Sequence, residues 1–168
     1  MTPEIKRHIH AFRNALVLAA DTRSHECYFM NRWKELNEFP HGCCDLASNF
    51  LAQYLKDSNP ALTPVVLLMQ TNEAFCNKEN STIKAHVIVK LDDWYIDLTL
   101  NQFAEYQYRV VIQEKNQMLG NLLRKIEAYG GSVTEENIEL DSGLDENGRD
   151  LYEWLRDTAD RLLQGIRP

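Results

Sequence analysis

The stretch Ala85-His-Val-Ile-Val-Lys-Leu-Asp-Asp-Trp-Tyr-Ile-Asp97 decides the fold. Two β-rich runs meet at Asp92-Asp93. A two-residue turn there sets Leu91 opposite Trp94, Val89 opposite Ile96 and Ile88 opposite Asp97. Side chains alternate along a strand, so Val87, Val89, Leu91, Ile96, Leu98 and Leu100 are expected to share one apolar face. The opposite, more polar face carries His86, Ile88, Lys90, Tyr95, Asp97 and Thr99, with His86 and Asp97 as diagonal neighbours. Asp-Asp is a weaker turn signal than Asp-Gly. A loop longer by two residues preserves these faces, and one longer by a single residue destroys them unless a bulge compensates.

Upstream, Phe39-Pro-His-Gly-Cys-Cys-Asp-Leu-Ala-Ser48 reads as a turn that delivers a cysteine to a helix start. Pro40 drives its predecessor out of the α region, and Gly42 permits a tight turn. Cys44, Ala47, Ser48, Leu51 and Leu55 then fall on one face of a helix over 44–56, which Asn59-Pro60 breaks. Thr63 to Gln70 has the apolar run of a buried strand, and Thr71 to Thr82, including Cys76, reads as a polar loop.

An amphipathic helix is expected over 3–21, with Thr2 as N-cap, Pro3 at its first position and Ile5, Ile9, Phe12, Leu16 and Ala19 inward. His8 and His10, two positions apart, cannot face one ligand and read as surface residues. A second helix is expected over 24–37, capped by Ser24, with Cys27 as a small buried hydrophobe. Downstream, 109–113 is a strand candidate, and 118–129 is a helix stopped by Gly130-Gly131. Residues 132–150 read as a solvated acidic connection. A final helix carries Leu151, Trp154, Leu155, Thr158 and Leu162 inward and ends near Gly165. There is no internal repeat and no low-complexity segment.

A chain of 168 residues with 44% apolar and 26% charged residues is read as one globular domain. Its net charge of −7 argues against a nucleic-acid partner, since nothing neutralises phosphates. The apolar run Ala15 to Ala20 is too short to span a bilayer and lacks a cleavage pattern. The chain is therefore expected to be soluble and cytoplasmic, with no membrane partner. Adjacent Cys43 and Cys44 suit no ordinary disulfide framework, and without a C-x-x-C pair, reduced thiols are expected for these two, Cys27 and Cys76.

A cysteine is a nucleophile as its thiolate, which the N–H groups and dipole at a helix N-terminus favour. Cys44 has that place in the sequence. His86 would accept its proton and return it to a leaving group, and Asp97 would hold the imidazole tautomer. The bland alternative is a packing cysteine, a satisfied strand histidine and a solvated aspartate. A metal site from His41, Cys43 or Cys44, His86 and Asp97 has too irregular a spacing to be a zinc signature, so no metal and no cofactor is expected.

Phe39, Pro40, Gly42, Cys44 and Ser48, followed by His86 and then Ile96, Asp97, Thr99, Gln102 and Phe103, resemble the papain-like/transglutaminase-like Cys-His-Asp superfamily. The resemblance is nearest to a branch of small bacterial members and covers residues 39–103. It implies an α+β fold, a Cys-bearing helix packed on an antiparallel sheet. The core would span about 39–113, with flanking helices about 3–37 and 116–165. It also implies that Cys44, two residues after Gly42, is the nucleophile in place of Cys43. The activity implied is acyl transfer, hydrolysis foremost, by a peptidase, amidase or deamidase acting on a protein, peptide or small amide or thioester. A transglutaminase or acyltransferase, or a catalytically inactive binding module, are the alternatives. Papain-type enzymes take an oxyanion donor from an upstream Gln, and here no Gln precedes Gln53. Trp33, Asn37 and His41 are the candidates for that role. Ser48, Thr99 and Gln102 are expected to support the site, Gln102 by bracing the Asp97 strand or capping the next segment.

Overall fold

A computed structural model describes residues 1–21, 26–143 and 146–165. Five strands form one antiparallel sheet in the order β4-β3-β2-β1-β5, where β1 is Val65–Gln70, β2 Ala85–Leu91, β3 Trp94–Asp97, β4 Val111–Glu114 and β5 Ser132–Glu136. Among the described residues five α-helices accompany it: α1 Pro3–Asp21, α2 Cys44–Ser58, α3 Glu73–Glu79, α4 Met118–Ala128 and α5 Arg149–Leu163. The architecture is α+β, as the sequence predicts.

Helix α2 is the central helix. Every residue from Leu46 to Leu55 is buried, as expected of a helix enclosed on all sides. It packs along β2 and against α1, which in turn packs on α5. Thr2 Oγ1 accepts from Ile5 N at 3.2 Å, so the expected cap of α1 is present. One apolar cluster joins α1, α2 and α5 to Val66, Val87, Val89, Leu91, Ile96 and Leu98. A second gathers Leu67, Met69, Ile88 and Val111 with Phe75 of α3 and Leu119, Leu122, Leu123 and Ile126 of α4.

The hairpin has the register its turn predicts: Leu91 pairs with Trp94 and Val89 with Ile96, with Asp92 at φ 52°. Its second face is not the polar surface that its composition suggests. Ile88 and His86 are fully buried there, because α3 and α4 supply a second apolar layer. Leu100 also departs from expectation. It turns into this second cluster from a single 3-10 turn, Leu100–Gln102, where strand alternation no longer holds.

Three further segments differ from the sequence reading. The helix expected over 24–37 is two 3-10 turns, Glu26–Phe29 and Trp33–Leu36, and the Ser24 cap lies outside the described residues. The break is at Arg32, whose φ of 68° is incompatible with a continuous right-handed helix. Its guanidinium reaches Glu35, Glu139 and Asp45 on three separate segments. The loop expected over 71–82 contains α3, capped by Asn72 Oδ1 accepting from Phe75 N at 2.9 Å and closed by Asn80 at φ 51°. The connection over 132–150 contains edge strand β5, paired with β1. Its Ile138 and Leu140 enter the first cluster.

Candidate active site

The N-terminus of α2 meets the sheet where β2 begins and β3 ends. Gly42, at φ 70°, makes the turn that precedes Cys43, the N-cap, and Cys44, the first helical residue. Ser48, one turn into the helix, donates from Oγ to the Val87 carbonyl at 2.9 Å. That bond ties α2 to the residue after His86.

His86 and Asp97 form a buried pair, with Nε2 of the ring 2.7 Å from Asp97 Oδ2. The other carboxylate oxygen accepts from Thr99 N at 2.9 Å. Thr99 thus supports the site through its backbone, and its buried Oγ1 has no hydrogen-bond partner. Phe103 stands edge-on to the imidazole, with centroids 5.0 Å apart. Burial alone would favour the neutral ring. Asp97 outweighs it through charge and hydrogen bond, with a smaller favourable contribution from Cys44, and the His86 pKa rises from 6.5 to about 9. With Nε2 committed to Asp97, Nδ1 is the ring nitrogen left for another partner.

The two adjacent cysteines have opposite surroundings. Cys43 is fully buried and its Sγ donates to the Glu35 carbonyl at 2.8 Å and the His41 carbonyl at 3.3 Å. Burial, with smaller contributions from Cys44 and Glu35, pushes its thiol up to about 12. Cys44 is only partly covered. All four cysteines are free thiols.

The upstream oxyanion candidates fare differently. Trp33 is 3% exposed and its Nε1 donates to the Ala19 carbonyl at 2.9 Å, so this N–H is already committed to the core. Asn37 and His41 are exposed. Gln102, which the sequence placed as a support that braces the Asp97 strand or caps the next segment, reaches both halves of the site: its Oε1 accepts from Gly42 N at 3.3 Å and its Nε2 lies 3.5 Å from His86 Nδ1.

Arg13 was not legible as a site residue. It is 6% exposed, donates from Nε to the carbonyls of Leu98 at 3.1 Å and Arg109 at 3.3 Å, and lies 4.4 Å from the Phe39 ring centroid. It thereby ties α1 to the chain just after Asp97 and to the start of the cysteine turn. Periodicity gives no hint of this, because a charged residue beside Phe12 normally faces solvent. A concavity of about 360 Å3 is lined in part by Asp45, Asn49, Val87, Glu136 and Glu139, and by none of Cys44, His86, Asp97 or Gln102. Asp45 and Val87 directly follow Cys44 and His86. Among the described residues, no three His, Cys, Asp or Glu side chains are placed to hold a metal ion, and no helix is long and apolar enough to cross a membrane.

Among known proteins, the chain is 31% identical over 163 residues to the "Uncharacterized protein YuaU" of Escherichia coli strain K12, covering 90% of this chain and 72% of that one. The YuaU of Escherichia coli strain UTI89 gives the same figures. No protein-family model matches the chain, and no solved structure matches it.

Proposed function

This chain belongs to the YuaU family, and we propose that it is a cofactor-independent thiol enzyme with a papain-like/transglutaminase-like core. Cys44 is the nucleophile, His86 the general base and acid, and Asp97 the orienting carboxylate. One observation carries this reading: a buried His86–Asp97 pair at 2.7 Å whose other ring nitrogen lies 3.5 Å from the Gln102 amide, which also binds Gly42 on the turn leading to Cys44, the first residue of a helix. A carboxylate on one ring nitrogen and a nucleophile at the other is what general-base catalysis requires.

In the reaction, with His86 in its neutral form, Cys44 Sγ attacks the carbonyl carbon of an amide or thioester as its proton passes to His86 Nδ1. The tetrahedral adduct collapses, His86 returns the proton to the departing amine or thiol, and a thioester to Cys44 remains. Water, deprotonated by His86, attacks that thioester, releasing the acid and restoring the thiol. The backbone N–H of Cys44 supplies one oxyanion donor. Hydrolysis is the reading preferred, in the cytoplasm where the thiol stays reduced. An amine in place of water gives the transferase outcome on the same residues. The committed N–H of Trp33 favours one competing reading, an inactive binding module, because a missing oxyanion donor costs on the order of a hundredfold or more in rate.

Alkylation separates the two. Iodoacetamide at neutral pH is expected to modify Cys44 ahead of Cys27, Cys43 and Cys76, as read by mass spectrometry. The His86→Ala variant is expected to slow Cys44 labelling about tenfold or more. Equal, slow labelling of Cys44 in both proteins would remove the enzyme reading and leave the module.

A further inference from the structure

Gln102 joins both halves of the site through the two ends of one amide. Its Oε1 accepts from Gly42 N at 3.3 Å, on the cysteine turn, and its Nε2 donates to the Thr99 carbonyl at 3.1 Å, just beyond Asp97. Both partners are backbone groups of fixed polarity, a donor and an acceptor, so the amide has one orientation that satisfies them. The remaining hydrogen on Nε2 is then available towards His86 Nδ1, 3.5 Å away.

We propose that Gln102 is a positioning residue of the thiol site: it sets the span between the cysteine turn and the His86–Asp97 pair, and its amide N–H disfavours a resting proton on His86 Nδ1. The proposal rests on the thiol-enzyme reading above and goes beyond it in naming what presets the tautomer. Asp97, accepting from Nε2–H, favours a proton on that nitrogen. Gln102 acts at the opposite nitrogen, where its N–H meets a lone pair favourably and a second N–H unfavourably. The imidazolium is thus favoured by Asp97 from β3 and Cys44 from α2, and opposed by the Gln102 amide. Phe103 contributes an uncharged edge, and Tyr106 lies close enough to feel the Asp97 charge. A general base needs this balance, because a ring held permanently charged cannot take the thiol proton.

Two variants test the assignment. Gln102→Glu keeps the shape and the Oε1 acceptor for Gly42 N but sets a carboxylate oxygen where the amide N–H faced Nδ1. Its His86 titration midpoint, followed by ring 15N shifts, is expected to rise by about one unit over the parent protein. Gln102→Ala releases the turn, and its Cys44 alkylation at neutral pH is expected to slow about tenfold, as misplacement of reacting groups does. A bond that served folding alone would change the melting temperature without moving the His86 midpoint in the glutamate variant. If that midpoint is unmoved while His86→Ala still suppresses labelling, the positioning role is overturned and the thiol-enzyme reading stands. If His86→Ala labels at the parent rate, both fall together.

Discussion

His86 concentrates the energetic tension of the molecule. A fully buried imidazole is normally neutral, since desolvation penalises its charge. Here desolvation is outweighed by the Asp97 carboxylate at 2.7 Å, with help from Cys44, and the pKa is raised from 6.5 to about 9. A group whose folded pKa exceeds its unfolded value contributes stability that is complete below the unfolded pKa. That contribution is lost as pH climbs through the folded pKa. The window is therefore roughly pH 6.5 to 9, and across it the folded state should lose on the order of a few kcal/mol. Urea unfolding at a series of pH values is expected to show falling stability over that range in the parent protein. In Asp97→Asn the slope should flatten, because the amide brings no charge to hold the ring protonated. The variant should also be less stable at pH 6, where the parent pair is intact. An equal slope in both proteins would mean that His86 is not the titrating group.

Where helices and strands are long and periodic, the sequence was readable. The stripes of α1, α4 and α5 and the hairpin register all appear as expected, and Thr2 caps α1 as its residue type suggests. The placement of the candidate site residues was legible for the same reason: His86 and Asp97 follow from hairpin register, and Cys44 from the start of a helix. What escaped was too short for a periodic signal or was held by partners distant in the chain. Helix α3 has only seven residues, too few for a periodic signal, and is set by Asn72 and Asn80. β5 is polar because it is an edge strand, and its main chain, not its side chains, attaches it to β1. Arg32 leaves the helical region with its guanidinium drawn to three carboxylates. Glycines conceal a similar constraint inside α4. A Cβ at Gly120 would come within 1.6 Å of the Lys115 carbonyl oxygen, so the chain leading into α4 closes directly over it. Helix propensity alone predicts that Gly120→Ala stabilises by about 1 kcal/mol. The backbone overlap is the larger effect, and overpacking of this kind costs about 1–3 kcal/mol. The variant is therefore expected to lower the urea midpoint, and a raised midpoint would show that the turn relaxes freely.

Two apolar layers, one on each face of the sheet, explain how a short hairpin can hold a charged pair out of water. α2 covers one face and α3 with α4 the other, so His86 and Asp97 are enclosed at the sheet's end while Cys44 remains partly open. The first layer is completed from an unexpected direction. The segment after β5 carries Ile138 and Leu140 into it, 5% and 4% exposed. It is pinned to α2 where Asn49 Oδ1 accepts from Glu139 N at 3.1 Å, and to the segment before the cysteine turn where Arg32 bonds Glu139 at 3.2 Å. This segment thus locks onto the same end of α2 that presents the thiol. Surface substitutions usually change stability by no more than about 0.5 kcal/mol, and a solvated loop would behave that way here. Burial demands a different result: truncating a buried leucine removes transfer energy and leaves a cavity, costing about 2–5 kcal/mol. Leu140→Ala is expected to lose stability within that range in urea unfolding monitored by tryptophan fluorescence. Exposed Glu135→Ala, on β5 close by, should lose far less, because its partner Lys90 is a surface ion pair at 2.6 Å that water screens. If the two variants unfold at the same midpoint, the segment contributes no core, and the packing that sets the thiol end of α2 must come from α1 and the sheet.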